Sequence, residues 1–275
     1  AEAFLGYILP WGNMSYWAAQ VIVNLFGTIP FIGDTLVEWI RGDYYISDIT
    51  LNRFFALHVI AMPLAILGLV FAHIVALHHI GSNNPDGIEI KDNKDAQGKP
   101  IDGVAFHPFH TSKDLVWITI FLMLYFGAVF FAPEMGGLFL EVDNFEPANP
   151  LKTPEHIVPS WYFTPYYAIL RSIPDSLLGF IALVSAVLCF VFLPWLDKCK
   201  VKSIRYRGWQ YKVALAIFVI SFVSLGYLGM QPSSGIYLIL ARLFTVLYFS
   251  FFLLMPFYTR LEKTKPVPDR VVYKK

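Results

Sequence analysis

Four long stretches of this 275-residue chain are almost free of acidic and basic side chains, counting histidine as neutral. They cover 54–81, 115–132, 176–196 and 213–259, and only Arg242 interrupts the last of them. A helix rises 1.5 Å per residue, so about 20 apolar residues cross the ~30 Å hydrocarbon core of a membrane. The turn signal Gln-Pro-Ser-Ser-Gly at 231–235 divides the last stretch into two helices. The sequence therefore predicts an all-α transmembrane helical bundle of five full spans, preceded by an apolar stub at 1–9.

The composition supports a membrane protein and excludes several other classes. Hydrophobic residues make up 56% of the chain and charged residues 15%, whereas water-soluble domains carry about 25% charged residues. With a mean hydropathy of +0.55, the folded chain would expose more apolar surface than water tolerates. We therefore exclude a cytosolic enzyme, a nucleic-acid binder and a disordered chain, and expect a lipid bilayer as partner. The two cysteines are too few for a disulfide framework or a thiolate metal site.

Charges separate between the loops at the two ends of the predicted bundle. The loop at 197–208 and the tail from 260 are basic, and the loop between the second and third spans is acidic. The positive-inside rule places the basic segments, including the C-terminus, in the cytoplasm (or an organelle matrix) and the acidic loop in the periplasm. We expect a multi-pass protein of a bacterial inner membrane. The basic residues are Lys198, Lys200, Lys202, Arg205, Arg207, Arg260, Lys263, Lys265, Arg270, Lys274 and Lys275, and the acidic ones are Glu134, Glu141, Asp143, Glu146 and Glu155.

Three aromatic segments are too short to span a membrane. The segments 13–26 and 31–40 have the amphipathic pattern of helices that lie at a membrane surface. The third, 159–173, contains Trp161, Tyr162, Phe163, Tyr166 and Tyr167. Aromatic residues are common at membrane interfaces, so this cluster alone does not distinguish an interfacial belt from a binding pocket. We predict short interfacial helices on the periplasmic side.

Two histidines interrupt the first apolar span. His58 and His73 are fifteen residues apart, which is about 22 Å along a helix and about 60° around it, so both face one side. They could hydrogen-bond neighbouring helices, or they could be axial ligands of two haems stacked across the bilayer. A histidine from a facing helix would complete each haem, and the other histidines of this sequence form no such pair. Arg53, at the periplasmic end, is placed to pair with a haem propionate.

Five segments carry a distinctive sequence: 6–15 (GYILPWGNMS), 53–58 (RFFALH), 81–85 (GSNNP), 106–114 (FHPFHTSKD) and 147–174. Together they resemble cytochrome b, the membrane core of the respiratory cytochrome bc complex (ubiquinol–cytochrome c oxidoreductase). The resemblance covers nearly the whole chain, and the charged insert at 89–102 favours the proteobacterial type. The segment 1–9 resembles the end of the family's third helix. We therefore expect a chain that lacks the first two helices and most of the third.

The resemblance implies two domains. The end of the haem-binding N-terminal domain would occupy 1–112, with the haem helix at 50–80 and a cytoplasmic loop at 81–112. The C-terminal domain would occupy 113–275, with the quinol-site loop and four spans. The histidines would bind different haems, His58 the low-potential haem near the periplasm and His73 the high-potential haem. Their spacing matches the chloroplast relative better than the mitochondrial form, which has one residue fewer.

The resemblance also implies an activity and its partners. The family carries electrons from quinol through two b-type haems to a second quinone site, and it couples this transfer to proton translocation. Such a subunit is a catalytic translocase that is active only within its complex. The implied partners are the Rieske iron–sulfur protein, a membrane-anchored c-type cytochrome and a second copy of the chain. Ubiquinone and ubiquinol are the implied substrates.

For quinol oxidation on the periplasmic side, the resemblance points to a pocket formed by Gly12, Pro159, Phe163, Tyr167 and Arg171, with Tyr167 as a catalytic residue. Glycine allows close backbone approach, and aromatic rings suit a hydrophobic substrate.

The tetrapeptide at 159–162 departs from the family pattern. The usual Pro-Glu-Trp-Tyr is here Pro-Ser-Trp-Tyr, so Ser160 replaces a carboxylate. Serine can hydrogen-bond quinol but cannot accept its proton near neutral pH. We expect proton release through water and the iron–sulfur protein's own histidine, with Glu155 as a weaker candidate.

For quinone reduction on the cytoplasmic side, the resemblance points to His78, Ser82, Phe106, Lys113 and Asp114, with His78 and Asp114 as catalytic residues. These groups suit a carbonyl that must collect protons. Without the resemblance, Lys113 and Asp114 could simply cap and anchor a helix.

Two alternative functions remain at this point. Another di-haem, quinone-reactive membrane anchor of a dehydrogenase would share the histidine pair but not the Pro-x-Trp-Tyr segment. A non-redox transporter would place polar or broken helices near the midplane, often in repeated halves, and no internal repeat is visible. Arg242, near the periplasmic end of the last span, is expected only to snorkel to the interface.

Overall fold

Helices and short turns make up the part of the chain that a computed structural model describes, residues 1–81, 84–137, 139 and 141–271. Those residues contain no β-strand beyond two isolated bridges. The helices are α1 (Glu2–Tyr7), α2 (Asn13–Phe26), α3 (Gly33–Arg41), α4 (Asp48–Ala56), α5 (Met62–Ile80), α6 (Thr111–Phe131), α7 (Thr164–Ser172), α8 (Ser176–Leu188), α9 (Leu193–Leu196), α10 (Trp209–Gly229), α11 (Gly235–Leu253) and α12 (Met255–Leu261). A π-helical turn, Leu57–Ala61, joins α4 to α5, and another, Phe106–His110, precedes α6.

The predicted membrane spans are confirmed. Five helical segments of the described chain are long and apolar enough to cross a membrane: Asp48–Ile80, Phe106–Phe131, Ser176–Leu196, Trp209–Gly229 and Gly235–Leu253. The first begins earlier than predicted because a capping box starts it: the Ser47 hydroxyl accepts from the backbone of Ile49, and the Thr50 hydroxyl accepts from the backbone N–H of Ser47. A prediction based on uncharged residues does not include this turn, because α4 contains the charged residues Asp48 and Arg53.

The short helices lie close to the predicted segments. The segment 13–26 is α2, and 31–40 forms α3 with a shift of one or two residues. The third segment is helical only from Thr164, because 159–163 forms a turn in which the Phe163 amide donates to the Ser160 carbonyl at 2.8 Å. Gly42 ends α3 in the left-handed conformation, with φ at 73°, which glycine adopts without strain.

Two apolar clusters hold the described chain together. The first joins α1 to α4 through Leu5, Val23 and Phe54, among others. The second joins α7, α8, α10 and α11, and its centre is the fully buried pair Tyr248 and Phe252. Membrane helices associate through van der Waals packing and interhelical hydrogen bonds. Both are present here, because the Tyr248 hydroxyl donates to the Ala186 carbonyl of α8 at 2.8 Å.

The helices α5 and α6 differ from this packed part. Neither contains a buried residue among those the structure describes. Apart from a few polar residues such as His73 of α5 and Lys113 of α6, their side chains are apolar around the helix, which is the pattern of helices covered by lipid, cofactor or further protein. His73 of α5 is therefore exposed.

A buried ion cluster fastens the basic loop at 197–208 to the end of α12. The Arg207 guanidinium contacts Asp197 at 2.5 Å and Glu262 at 2.6 Å, and it stacks 3.6 Å from the Tyr211 ring. Burial favours the neutral form, but the hydrogen bonds to both carboxylates outweigh it and hold the pKa of Arg207 above its ordinary value. We call this end of the bundle the basic end, and the end that carries α2, α3, α7 and the loop at 139–152 the acidic end.

Candidate functional site

At the acidic end, the start of α2 is clamped to the loop at 139–152. The Asn13 side chain donates to the Lys152 carbonyl at 3.0 Å and accepts from the backbone of Asn149 at 3.0 Å. The Asn144 side chain accepts from the backbone of Ser15 at 2.8 Å. A Cβ at Gly12 would lie 2.6 Å from the Cα of Asn144, so only glycine fits there. The sequence predicts a close backbone approach at Gly12, and in the structure Asn144 of this loop is the residue that approaches it.

A tyrosine–carboxylate pair lies next to this clamp. The Tyr7 hydroxyl, at the end of α1, donates to a Glu141 carboxylate oxygen in a short hydrogen bond. Both side chains are half-buried. A carboxylate accepting from a phenol is a charge-assisted hydrogen bond, which is stronger than a neutral one. Sequence reasoning missed this pair, although Tyr7 belongs to one of the distinctive segments and Glu141 to the acidic loop.

The aromatic segment packs at the start of α7. The rings of Tyr162 and Phe163 lie 4.7 Å apart, and the Trp161 side chain is 72% exposed. The Tyr167 hydroxyl donates to the Ile157 carbonyl at 3.3 Å, so the first turn of α7 holds the segment that leads to Pro159. The predicted residues Pro159, Phe163 and Tyr167 therefore share one short region with an exposed aromatic surface.

Arg171 lies in the last turn of α7, and its guanidinium donates hydrogen bonds to backbone carbonyls of the chain. Its Nη2 donates to the carbonyls of Gly229 at 2.7 Å, Gln231 at 3.1 Å and Leu228 at 3.3 Å. The guanidinium lies 4.2 Å from the Tyr167 ring. A role of Arg171 toward quinol stays a prediction, and the contacts that the structure gives are to helix α10 and to Tyr167.

His58 lies at the start of the first span and contacts α1. Its Nδ1 lies 3.0 Å from the Glu2 carbonyl oxygen and 3.2 Å from Glu2 Oε1. A carbonyl oxygen can only accept, so Nδ1 is the donor in this contact. Metal-bound histidines commonly have this arrangement, because the second hydrogen bond fixes the tautomer. A Cβ at Gly6 would lie 2.5 Å from the imidazole ring, so glycine provides the space for the ring.

The π-helical turn at Leu57–Ala61 changes the relation between the two histidines. A π turn accommodates one residue more than an α turn. The fifteen-residue separation of His58 and His73 then corresponds to about fourteen α-helical steps and an angle of about 40°, instead of the about 60° predicted for a regular helix. The extra residue is thus absorbed next to His58, and both side chains stay on one face of the span.

The open face of this span suits a large apolar cofactor. His73 is exposed, and no residue of α5 is buried among those the structure describes. At the other end of the span, Arg53 donates to the Trp39 carbonyl at 2.8 Å and stays exposed, so its remaining N–H groups are available to an anionic group. The residues present therefore fit one protein ligand for each of two haems, and they fit an arginine partner for a propionate.

At the basic end, Lys91 fixes the end of α5. Its ammonium donates to the carbonyls of Ile80 at 2.9 Å and His79 at 3.1 Å. The neighbouring His78 is exposed in the last turn of α5. The loop that follows is held by Asp86, which accepts from Arg205 at 3.0 Å and from Tyr206 at 2.8 Å. Ser82, the other predicted residue of this loop, lies outside the described residues.

The remaining predicted residues of the basic end cluster at the start of α6. The Phe106 ring stacks on His110 at 5.7 Å, and the Lys113 ammonium lies 4.0 Å from the Phe109 ring. Asp114 lies in the first turn of α6, where a negative charge is favourable. Among the described residues, no hydrogen bond or ion pair joins His78 to Phe106, Lys113 or Asp114. A shared quinone site for these side chains stays a prediction.

Comparisons with known proteins match both halves of the chain to one family. The family description "Cytochrome b(N-terminal)/b6/petB" matches residues 1–138, and "Cytochrome b(C-terminal)/b6/petD" matches 147–249. The cytochrome b of Allochromatium vinosum is 56% identical over 279 residues, covering 98% of this chain and 67% of the relative. The cytochrome b of Rhodospirillum rubrum is 46% identical, with coverages of 98% and 64%.

Two further comparisons concern a cytochrome b/c1 and a solved structure. The cytochrome b/c1 of Bradyrhizobium diazoefficiens is 47% identical over 98% of this chain and 38% of its own length. A solved chain of a hyperthermophilic respiratory complex III superposes with a TM-score of 0.83 at 37% identity, covering 94% of this chain and 66% of that one. The chain spans about two thirds of the length of the cytochrome b relatives. The chain belongs to the cytochrome b family.

Proposed function

We propose that this chain is the part of a quinol–cytochrome c oxidoreductase that carries electrons across the membrane between two quinone sites, coupled to proton translocation. One observation carries the proposal. A single membrane-spanning segment carries both His58, half-buried against α1, and His73, which is exposed. The ends of this segment lead to the aromatic segment of the acidic end and to the polar residues of the basic end.

The histidines define what the span would hold. His58, through Nε2, and His73 would each bind a b-type haem, and Arg53 would pair with a propionate. When bound, the haems supply one-electron carriers inside the membrane. This chain provides the ligands on one side, and the opposite ligands would come from further polypeptide. The Glu2 contact engages Nδ1 of His58, which is the arrangement that orients a histidine for ligation through Nε2.

At the acidic end, the chain would bind and orient quinol. Pro159, Phe163 and Tyr167 form an apolar and aromatic wall, and the clamp at Gly12 fixes the neighbouring helix α2. The Ser160 hydroxyl can exchange hydrogen bonds with quinol but cannot take its proton. Glu155 is exposed near this segment, and a histidine of the Rieske partner is the other acceptor that we propose.

At the basic end, the chain would supply protons to quinone. The imidazole of His78 and the Asp114 carboxylate are the proton donors of the proposed site, with Lys113 and Ser82 as hydrogen-bond donors and Phe106 as an apolar wall. Opposite charge at the two ends of the bundle implies the orientation predicted above, with the basic end in the bacterial cytoplasm. The proposed partners are the Rieske protein, a membrane-anchored c-type cytochrome and a second copy of the chain.

The histidine assignment can be tested in the complete complex with a matched pair of variants. We expect His73→Asn to lose the absorbance of one b-type haem in the reduced-minus-oxidised spectrum and to abolish electron transfer from quinol to cytochrome c. His79→Asn, on the same helix, should retain both, because His79 is not a proposed ligand. Full absorbance in His73→Asn would contradict the assignment. A wild-type complex without b-type absorbance would contradict the proposed function.

A further inference from the structure

Arg242 is the charged residue of α11, and it lies in the half of that helix that follows Gly235 and packs beside α7. Charged side chains in membrane helices are costly and are usually paired. The sequence alone predicts that Arg242 snorkels to the interface. In the structure its Nε instead donates to the carbonyl oxygen of Ser172, the last residue of α7, at 3.0 Å. The guanidinium therefore satisfies one of the carbonyls that a helix leaves free at its C-terminal end.

Arg171, the neighbour of Ser172, satisfies free carbonyls at the C-terminal end of α10 in the same way. Its Nη2 contacts the carbonyls of the last two residues of α10, the nearer being that of Gly229 at 2.7 Å, and the carbonyl of Gln231 just beyond the helix. A cation at a helix C-terminus is favourable because the carbonyls there carry partial negative charge. Adjacent residues of one short helix thus take part in two caps: Arg171 donates to α10, and Ser172 accepts from Arg242 of α11.

These caps connect directly to the aromatic segment. Arg171 stacks on the Tyr167 ring at 4.2 Å, and the Tyr167 hydroxyl donates to the Ile157 carbonyl. The start of α7 is fixed as well, because a Cβ at Gly229 would lie 2.8 Å from the Cβ of Thr164. The helix that carries the aromatic wall is therefore held at its start by close packing against α10, and at its end by hydrogen bonds to α10 and α11.

We propose that Arg242 is a positioning residue for quinol oxidation, which acts by holding the C-terminal end of α7 and does not contact quinol. The inference rests on the proposed function. Displacement of α7 would move Tyr167 and Phe163 relative to the substrate, and small displacements of binding groups have large kinetic effects. The effect belongs to the acidic-end quinone site and leaves the basic-end site unchanged.

Two isosteric variants of the complete complex separate the hydrogen bond from packing. In Arg242→Gln the amide nitrogen occupies the position of the arginine Nε and can donate to Ser172, whereas Arg242→Met has the same reach without a donor. We expect Arg242→Met to raise KM for quinol about three- to tenfold, with kcat and the b-haem spectrum nearly unchanged. Arg242→Gln should stay within about twofold of the wild type, since its hydrogen bond is retained.

Two controls complete the experiment. Arg260→Met removes an exposed arginine in the last turn of α12 and should not change KM. Reduction of the b haems through the basic-end site, measured while the acidic-end site is inhibited, should be equal in all variants. If Arg242→Met does not assemble, Thr245→Val is measured instead. It removes the 3.3 Å contact of the Thr245 hydroxyl with the Ser172 hydroxyl, and we expect a smaller rise in KM.

The inference is overturned by an unchanged KM in Arg242→Met, or in Thr245→Val if that variant takes its place. Equal losses at both quinone sites together with a lower haem content would also overturn it, since they indicate a purely structural role. A wild-type complex that does not oxidise quinol contradicts the proposed function and this inference together. A working complex with unchanged KM contradicts this inference alone.

Discussion

Ser160 occupies the position at which the family's usual tetrapeptide carries a carboxylate. Its side chain is half-buried, and no hydrogen bond to its hydroxyl is present among the described residues. We therefore expect Ser160→Ala to assemble normally and to lower the rate of quinol oxidation by no more than about tenfold, the effect of one lost hydrogen bond. Steady-state reduction of cytochrome c by quinol in the purified complex measures this rate.

The matched control for Ser160 is a change on the same segment that removes a proposed proton acceptor. If Glu155 accepts the quinol proton, Glu155→Gln should slow quinol oxidation more than Ser160→Ala does. A normally assembled Ser160→Ala complex without quinol oxidation would show that the hydroxyl is essential, contrary to the role proposed for it.

Single residues also show what sequence reasoning can and cannot predict at this scale. Phe163, Tyr167 and Arg171 lie four residues apart along the chain, the first as the N-cap residue of α7 and the other two within that helix. Their role as a quinol pocket stays a prediction. Their partners come from distant parts of the chain: the carbonyls of α10 for Arg171, and Arg242 of α11 for Ser172. A sequence carries no local pattern for such contacts, because any exposed carbonyl at a helix end can accept them.

At the scale of elements, the end of α5 depends on a residue of the charged insert at 89–102. Lys91 donates to the last two carbonyls of α5, next to His78. We expect Lys91→Met to loosen this end and to slow re-oxidation of the b haems by quinone about two- to fivefold, which corresponds to the usual effect of a cation at a helix C-terminus. Stopped-flow measurement of haem re-oxidation in the complete complex gives the rate.

Lys94→Met provides the control for this effect, because Lys94 is exposed on the same insert and its ammonium makes no ion pair in the described part of the chain. Its re-oxidation rate should equal that of the wild type. Equal rates in Lys91→Met and Lys94→Met would show that the contact to α5 has no influence on the basic-end site.

The helices themselves were largely predictable, since five apolar runs of sufficient length leave few alternatives to membrane spans. The deviations have local causes. The π-helical turn at Leu57–Ala61 cannot be read from hydropathy, because it changes the register without changing the composition. The last predicted stretch, 213–259, is interrupted again near Leu254, because Pro256 cannot donate a hydrogen bond within a helix and lies instead in the first turn of α12.

The whole molecule combines a packed part with an open part. Polar contacts concentrate at the two ends: the clamp of α2 to the loop at 139–152, and the ion cluster around Arg207. Between these ends the contacts are apolar, apart from hydrogen bonds such as that of Tyr248. This distribution follows from the bilayer, in which unpaired polar groups are costly and polar residues collect at the interfaces.

The charge difference between the two ends predicts the orientation of the molecule in the membrane. In a background of Cys189→Ser and Cys199→Ser, we introduce one exposed cysteine at each end, Leu151→Cys and Lys200→Cys. A membrane-impermeant maleimide added to intact spheroplasts should label Leu151→Cys and leave Lys200→Cys unlabelled, because only the acidic end faces outward. Inverted vesicles should give the opposite result, and detergent should expose both cysteines. Labelling of Lys200→Cys in intact spheroplasts would reverse the proposed orientation and, with it, the sides assigned to quinol oxidation and quinone reduction.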